Sequence, residues 1–226
     1  MNTFVPHLET LPPAQREFLP LAHQVPGSFV LYGGTALALR LGHRQSLDFD
    51  FFSARHFTLL ELEASIPFLQ GAQPLQAKPD TLTVRLRRPA GITVSFFGGL
   101  TIAQAGEPEW DSDERVLVAS LPDLAATKFA VLPRRAEAKD YLDAAAILQA
   151  GIALPQALAY ARAVYGERFN PLFCLKALSY FADGDLPSLP RKVQNLLAKA
   201  AAQVTDIPEI KPRSNRITAK VPGPLG

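Results

Sequence analysis

The stretch from Gly33 to Phe52, GGTALALRLGHRQSLDFDFF, holds the residue types and spacings that can do chemistry. Two glycines follow the apolar run Phe29–Tyr32 and precede a helical pattern from Thr35 to Leu41. Glycine permits backbone dihedrals and close approaches that a β-carbon forbids. A helix starting directly after such a turn aims its free N–H groups and the positive end of its dipole at the turn, which suits a phosphate. The Thr35 hydroxyl adds a donor there. Leu47–Phe52 then alternates apolar and acidic residues, the period of a strand, and puts the Asp48 and Asp50 carboxylates on one face about 7 Å apart. Such a pair repels unless a cation bridges it, and Mg²⁺ favours carboxylate oxygens together with substrate phosphates. A phosphate cradle beside an Asp-x-Asp strand therefore points to metal-assisted phosphoryl or nucleotidyl transfer. Either feature alone is weak. Leu47, Phe49, Phe51 and Phe52 read as a largely buried strand around the pair, where uncoordinated acids would cost free energy.

The elements that must position these residues can be read along the chain. Leu11–His23 reads as a short helix with Pro12 and Pro13 in its first turn. Phe29–Tyr32 reads as a buried strand, and Gly42 as the stop of the Thr35–Leu41 helix. Phe57–Leu69 reads as helical, and Thr81–Arg87 and Ile92–Phe97 as strands of a hairpin. Arg115–Ala119 reads as a last short strand. From Ser120 onward the pattern turns helical, with Ser120 and Asp123 spaced as a capping box. Helices are expected near Leu121–Leu132, Ala136–Leu148, Pro155–Tyr165, Pro171–Phe181 and Arg191–Gln203. Strands first and helices later argue for an α+β fold, a small mixed-sheet core flanked by helices and followed by a helical C-terminal part. The expected divisions are an αβ core over 1–119, a helical domain over 120–204, and a proline-rich basic tail over 205–226, either mobile or ordered by a partner.

Composition bounds the function classes. The chain has 226 residues, of which 48% are hydrophobic and 19% charged, so a sizeable core can form. With 23 basic and 21 acidic residues the net charge is +2, which argues against a strongly basic nucleic-acid binder but leaves room for a local basic groove. One cysteine, Cys174, excludes an internal disulfide, and four scattered histidines give no zinc pattern. No apolar run reaches the roughly 20 residues of a membrane span, and the N-terminus lacks a signal-peptide pattern. A cytoplasmic protein is expected.

GGT, a helix, then GHRxSxDxDFF resembles the AbiEii/AbiGii-type nucleotidyltransferase toxins of the DNA polymerase beta-like superfamily. A second anchor, DLAATKF at Asp123–Phe129 followed by KDYLDAAAIL at Lys139–Leu148, is similar to that family's lysine helix and KDxxD-type helix. The resemblance runs from about Phe29 to Leu148. It implies that Gly34 and Thr35 hold NTP phosphate oxygens while Gly33 shapes the turn, and that Asp48 and Asp50 ligate Mg²⁺. It implies further that Lys128 meets phosphate or stabilises charge on the transferring group, that Asp140 helps position acceptor or nucleotide, and that Arg44, with His43 beside it, is a candidate phosphate contact. It implies a nucleoside monophosphate transfer from an NTP to an acceptor such as tRNA, and a cognate antitoxin as protein partner. The superfamily usually carries a third acid on a neighbouring strand. The matching position here is Ser95, neither a metal-ligating carboxylate nor a base. Asp140, Asp143 or the substrate would then supply the base.

Two other functions stay open at this point: a catalytically degenerate nucleotide-, protein- or RNA-binding module, and a small-molecule nucleotidyltransferase of the antibiotic-modifying kind. Outside the two anchors the bland readings prevail. Glu107–Glu114 reads as an acidic surface loop anchored by Trp110, and Cys174 as a buried inert thiol. Phe169, Leu172, Phe173, Leu178, Tyr180 and Phe181 read as core. Arg40, Arg44, Arg85, Arg87, Arg88, Arg134 and Arg135 read singly as solvated residues. Collectively, with Lys211, Arg213, Arg216 and Lys220 of the tail, they would suit an RNA backbone.

Overall fold

The computed structural model describes residues 3–89 and 91–217. The chain divides into two compact units: Met1–Ile102 with Glu107–Ser120 and Ser214–Gly226, and Ala103–Gly106 with Leu121–Arg213. All strands lie in the first unit. They are β1 (Thr3–Phe4), β2 (Val30–Tyr32), β3 (Asp48–Phe52), β4 (Gln73–Lys78), β5 (Thr81–Arg85), β6 (Thr93–Phe97), β7 (Glu109–Asp111) and β8 (Leu117–Val118). They form one mixed sheet in the order β1-β7-β8-β2-β3-β6-β5-β4. The α+β expectation is met: the sheet unit carries three helices, α1 (Pro13–Phe18), α2 (Gly33–Leu41) and α3 (Leu59–Ser65), and the second unit is helical.

The central strand β3 pairs antiparallel with β2 and parallel with β6. Its alternation does what the sequence pattern requires. Phe49 and Phe51 are fully buried on one face, where Phe18 meets Phe49 edge-on at 4.7 Å and Phe96 stacks on Phe51 at 5.4 Å. Burying each such ring stabilises the unit by roughly 1.5–3 kcal/mol. The opposite face carries Asp48 and Asp50. Here the expectation of a largely buried strand needs correction: Asp48 is exposed, Asp50 half-buried, and Leu47 is 57% exposed just outside the strand. Along β3 one face packs the core and the other leaves its acids open to solvent.

Several elements differ from the sequence reading. Leu11–His23 is not one helix but α1 followed by a 3-10 turn over Leu19–Gln24. Helix α3 is shorter than expected and starts on a full capping box between Thr58 and Glu61. Strand β4 has no signature in the sequence because none of its residues is buried; its pairing with β5 holds it, across a bulge between Pro74 and Gln76. Glu107–Glu114 is not simply a surface loop. It contains β7, and the fully buried Asp111 accepts hydrogen bonds from the backbone N–H of Arg115 (2.6 Å) and Val116 (3.0 Å) and from Arg115 Nε (2.7 Å).

The helical unit contains α4 (Leu121–Val131), α5 (Ala138–Gln149), α6 (Leu154–Tyr165), α7 (Pro171–Ala177) and α8 (Arg191–Ala202). Helix α4 packs on α5 and α6, and α8 packs on α5 and α7. Asp123 accepts hydrogen bonds from the N–H groups of Ala105 (2.7 Å) and Gly106 (3.0 Å), tying that short segment to the start of α4. Of the expected aromatic core, Phe169 and Leu178 are buried, whereas Leu172, Phe173 and Tyr180 are 64%, 58% and 56% exposed. Within the tail, the Arg213 N–H donates to the Gln104 carbonyl at 2.8 Å, and 218–226, with Lys220, lie outside the described residues. Among the described residues no single helix is long and apolar enough to cross a membrane.

Candidate active site

Strand β2 ends at Tyr32, and helix α2 begins on the next residue with no side-chain cap from Tyr32. Its first N–H groups have no intrahelical partners and form the positive end of the helix. Gly33 has φ +75° there, and a β-carbon on it would fall 2.6 Å from Asp50 Oδ2. A β-carbon on Gly34 would fall 2.7 Å from Arg44 Nη2 and 2.8 Å from Ser46 Oγ. The glycine pair is therefore the floor on which a carboxylate, a guanidinium and a hydroxyl converge at the start of α2. Each approach is shorter than any side chain permits.

The remaining groups follow from sheet register. Residues paired across neighbouring strands project to the same face. Asp50 is in register with Tyr32 on β2 and Ser95 on β6; Asp48 is in register with Thr93, which pairs in turn with Arg85 on β5. The acidic face thus carries Asp48, Asp50, Thr93, Ser95 and the exposed Arg85. Ser95 is buried and its hydroxyl lies 3.2 Å from that of Thr83. Tyr32 stacks on Phe52 at 4.7 Å, which walls one side of this face.

Thr35 takes a different part from the one expected. It is fully buried, and its hydroxyl donates to the backbone carbonyl of Asp48. Its single O–H proton is used to lock α2 onto β3, so it sets the height of the Asp48 carboxylate relative to the glycine turn. Arg40, expected as a solvated residue, also proves to be internal to the fold. It donates to the carbonyls of Ala119 (2.7 Å) and Val118 (3.2 Å), pairs with Glu109 at 2.7 Å, and lies over the Phe4 ring. Ser46 is a site residue that motif reasoning alone gives no role; its spacing of two residues before Asp48 is the signal that it shares this end of the strand.

Lys128, Asp140 and Asp143 come together within the helical unit. Lys128 Nζ lies 3.0 Å from Asp140 Oδ1 and 2.6 Å from Asp143 Oδ2, and both aspartates are fully buried. Arg135 reaches Asp140 with Nε at 2.7 Å and Nη2 at 3.1 Å. The Lys128 ammonium and the part-exposed Arg135 guanidinium face the two buried aspartates, whose desolvation is offset only by such close geometry. Asp140, expected to help position acceptor or nucleotide, is fully buried in this structure and touches Lys128 and Arg135. Lys128 keeps the third of its ammonium N–H donors beyond the two directed at carboxylates. Elsewhere in this unit, burial pushes the Cys174 thiol up to about 12, and its Sγ donates to the Phe129 carbonyl at 3.3 Å, so the inert-thiol expectation has a physical basis.

Two carboxylates on one strand face, beside a cradle that a β-carbon would fill, fit a divalent cation that takes its other oxygens from water and phosphate. Among the described residues there is no cluster of three or more His, Cys, Asp or Glu side chains able to hold a metal by themselves.

Known proteins share this architecture. Residues 21–211 match the model of the family described as nucleotidyl transferase AbiEii toxin, Type IV TA system. The chain is 35% identical over 117 residues to an uncharacterized protein of Aquifex aeolicus (strain VF5), a match covering 51% of this chain and 55% of that protein. It thus spans little more than half the length of that relative. Among solved structures it is similar to MenT4, a nucleotidyltransferase toxin of Mycobacterium tuberculosis H37Rv, with a TM-score of 0.55 at 19% identity, covering 84% of this chain and 82% of that one. A putative nucleotidyltransferase of H. pylori matches with a TM-score of 0.47 at 17% identity, covering 87% of this chain and 92% of that one.

Proposed function

The chain belongs to the AbiEii nucleotidyltransferase toxin family, and from that premise we propose that it moves a nucleoside monophosphate group from an NTP to a hydroxyl of an acceptor RNA, tRNA being the expected class. The acceptor oxygen forms a bond to the α-phosphorus, the α–β phosphoanhydride bond breaks, and pyrophosphate leaves. Asp48 and Asp50 would hold Mg²⁺, which supplies neutralisation of the triphosphate charge. The convergence of Gly33 and Gly34 with Asp50, Arg44 and Ser46 at the uncapped start of α2 carries this reading. The glycines let phosphate oxygens approach the free N–H groups, and Arg44 adds a charge-assisted donor. Within the helical unit, Asp140 and Asp143 orient the Lys128 ammonium. As a toxin the protein would act in the cytoplasm and be held in check by a cognate antitoxin.

The test is incubation with labelled NTPs, Mg²⁺ and total tRNA. Incorporation that disappears on Asp48→Asn with Asp50→Asn supports the reading. No incorporation, incorporation that survives the double substitution, or transfer to an aminoglycoside but not to RNA would refute it. Ser95 in register with Asp50 favours a second reading, in which the protein binds NTP without transferring it. Calorimetric NTP binding in the absence of any transfer would select that alternative.

A further inference from the structure

The helical unit holds a groove of about 1020 Å³ that the acidic face of β3 does not use. It is formed by the loop after α4, the loop between α6 and α7, and the exposed side of α7. Its size is at the top of the roughly 300–1,000 Å³ range of ligand pockets, room for more than a single small ligand.

Two features of its lining are unusual together. Phe173 and Tyr180 are the two large aromatic side chains left mostly exposed among the described residues, and both line this groove. Exposed apolar groups gathered in one groove and rimmed by polar residues are characteristic of interaction sites. Around them stand Arg134, Arg168 and Lys176, all exposed, and the lining also holds the exposed carboxylates of Glu167 and Asp183. Burial pushes the Tyr165 hydroxyl of the lining up to about 12, against the opposing charges of Arg134 and Arg168. Arg134 and Lys176 have no carboxylate within ion-pair distance among the described residues.

We infer that this groove binds a single-stranded segment of the acceptor RNA, with bases stacked on Phe173 and Tyr180 and phosphates tracked by Arg134, Arg168 and Lys176. Exposed ring faces interleaved with cations are how proteins hold unpaired nucleotides, because every base offers a π-face and every linkage a charge. A duplex would hide its bases and use only the cations. The inference rests on the proposal that the acceptor is RNA.

The experiment is fluorescence anisotropy of the full chain with a labelled ten-nucleotide single-stranded RNA and with the same sequence as a duplex. The single strand is expected to bind at least tenfold more tightly. Phe173→Ala with Tyr180→Ala is expected to weaken it by about tenfold or more. Arg134→Gln or Lys176→Gln should lower the slope of log affinity against log salt by roughly 0.7 for each phosphate no longer neutralised. All four positions are on the surface, and thermal melting checks that each variant is folded. Parent-like binding by every variant overturns the groove while leaving RNA as acceptor intact. Preference for the duplex also overturns it. If the parent neither binds nor labels RNA, both the groove and the acceptor reading fall. Protection of Phe173 and Tyr180 by the antitoxin, with RNA binding unchanged in the variants, makes this a protein site and overturns the RNA occupant.

Discussion

Gly33→Ala separates backbone strain from damage to the site. Gly33 has φ +75°, a conformation that costs a residue with a β-carbon roughly 1–2 kcal/mol. Part of this is offset because alanine also restricts the unfolded chain, by about 0.4–1 kcal/mol. The net loss of stability is therefore about 1 kcal/mol. The new β-carbon would also lie 2.6 Å from Asp50 Oδ2, against the 3.4 Å at which ordinary contacts begin, so the carboxylate must retreat by about 0.8 Å. Displacements near 1 Å at a reacting centre cost on the order of 100-fold in rate. Gly71 supplies the control: its φ is +72°, and a β-carbon there meets nothing within 4 Å. Chemical denaturation should show similar losses for Gly33→Ala and Gly71→Ala, while labelled-NTP transfer should collapse about 100-fold in the first only. Equal transfer by the two variants would refute the placement of Asp50 against the glycine turn as a functional requirement.

Two further predictions concern the supports of the fold. Lys128→Met deprives the buried Asp140 and Asp143 of the ammonium they share and should cost about 3–5 kcal/mol by denaturant unfolding; a loss under 1 kcal/mol would mean that the cluster does not brace the helices. The carboxyl of Asp80 is held below its ordinary 3.8, first by its hydrogen bond with His56 and then by the Phe57 N–H. A depressed carboxyl contributes stability that is full above its unfolded value and lost as pH falls through its folded value. Asp80→Asn should therefore flatten the decline of thermal stability below about pH 4 and change it least in slope near neutrality; an unchanged acid limb would remove Asp80 from the account.

What the sequence disclosed depended on whether local pattern and local burial agree. Phe49 and Phe51 alternate with Asp48 and Asp50 in the chain and on the sheet alike, so the strand and its acidic face could be read directly. Helices α5, α6 and α8 were legible for the same reason, since their apolar periodicity matches the face each one buries, whereas α7 buries only Cys174 and leaves Leu172 and Phe173 exposed. Strand β4 was not legible: its stabilisation comes from a neighbour's backbone, which leaves no trace in side-chain alternation. The burial of Asp111 was hidden because the acids within Glu107–Glu114 look like a solvated run. The separate uses of Arg40 and Arg44 depend on partners up to 79 residues away, Ala119 in the case of Arg40. The exposure of Phe173 and Tyr180 ran against the usual habit of aromatic residues, and no spacing rule could have foretold it.

The outermost strand β4 has one further consequence. An edge strand presents a row of unpaired backbone groups that invites another chain to add itself to the sheet. Here Pro74 removes one donor from that row, the adjacent bulge breaks its straightness, and Lys78 places a charge at its end. At the other edge the described part of β1 spans two residues. The β4 edge is thus closed to extension without the sheet being closed into a barrel, and copies of this chain are discouraged from joining strand to strand there.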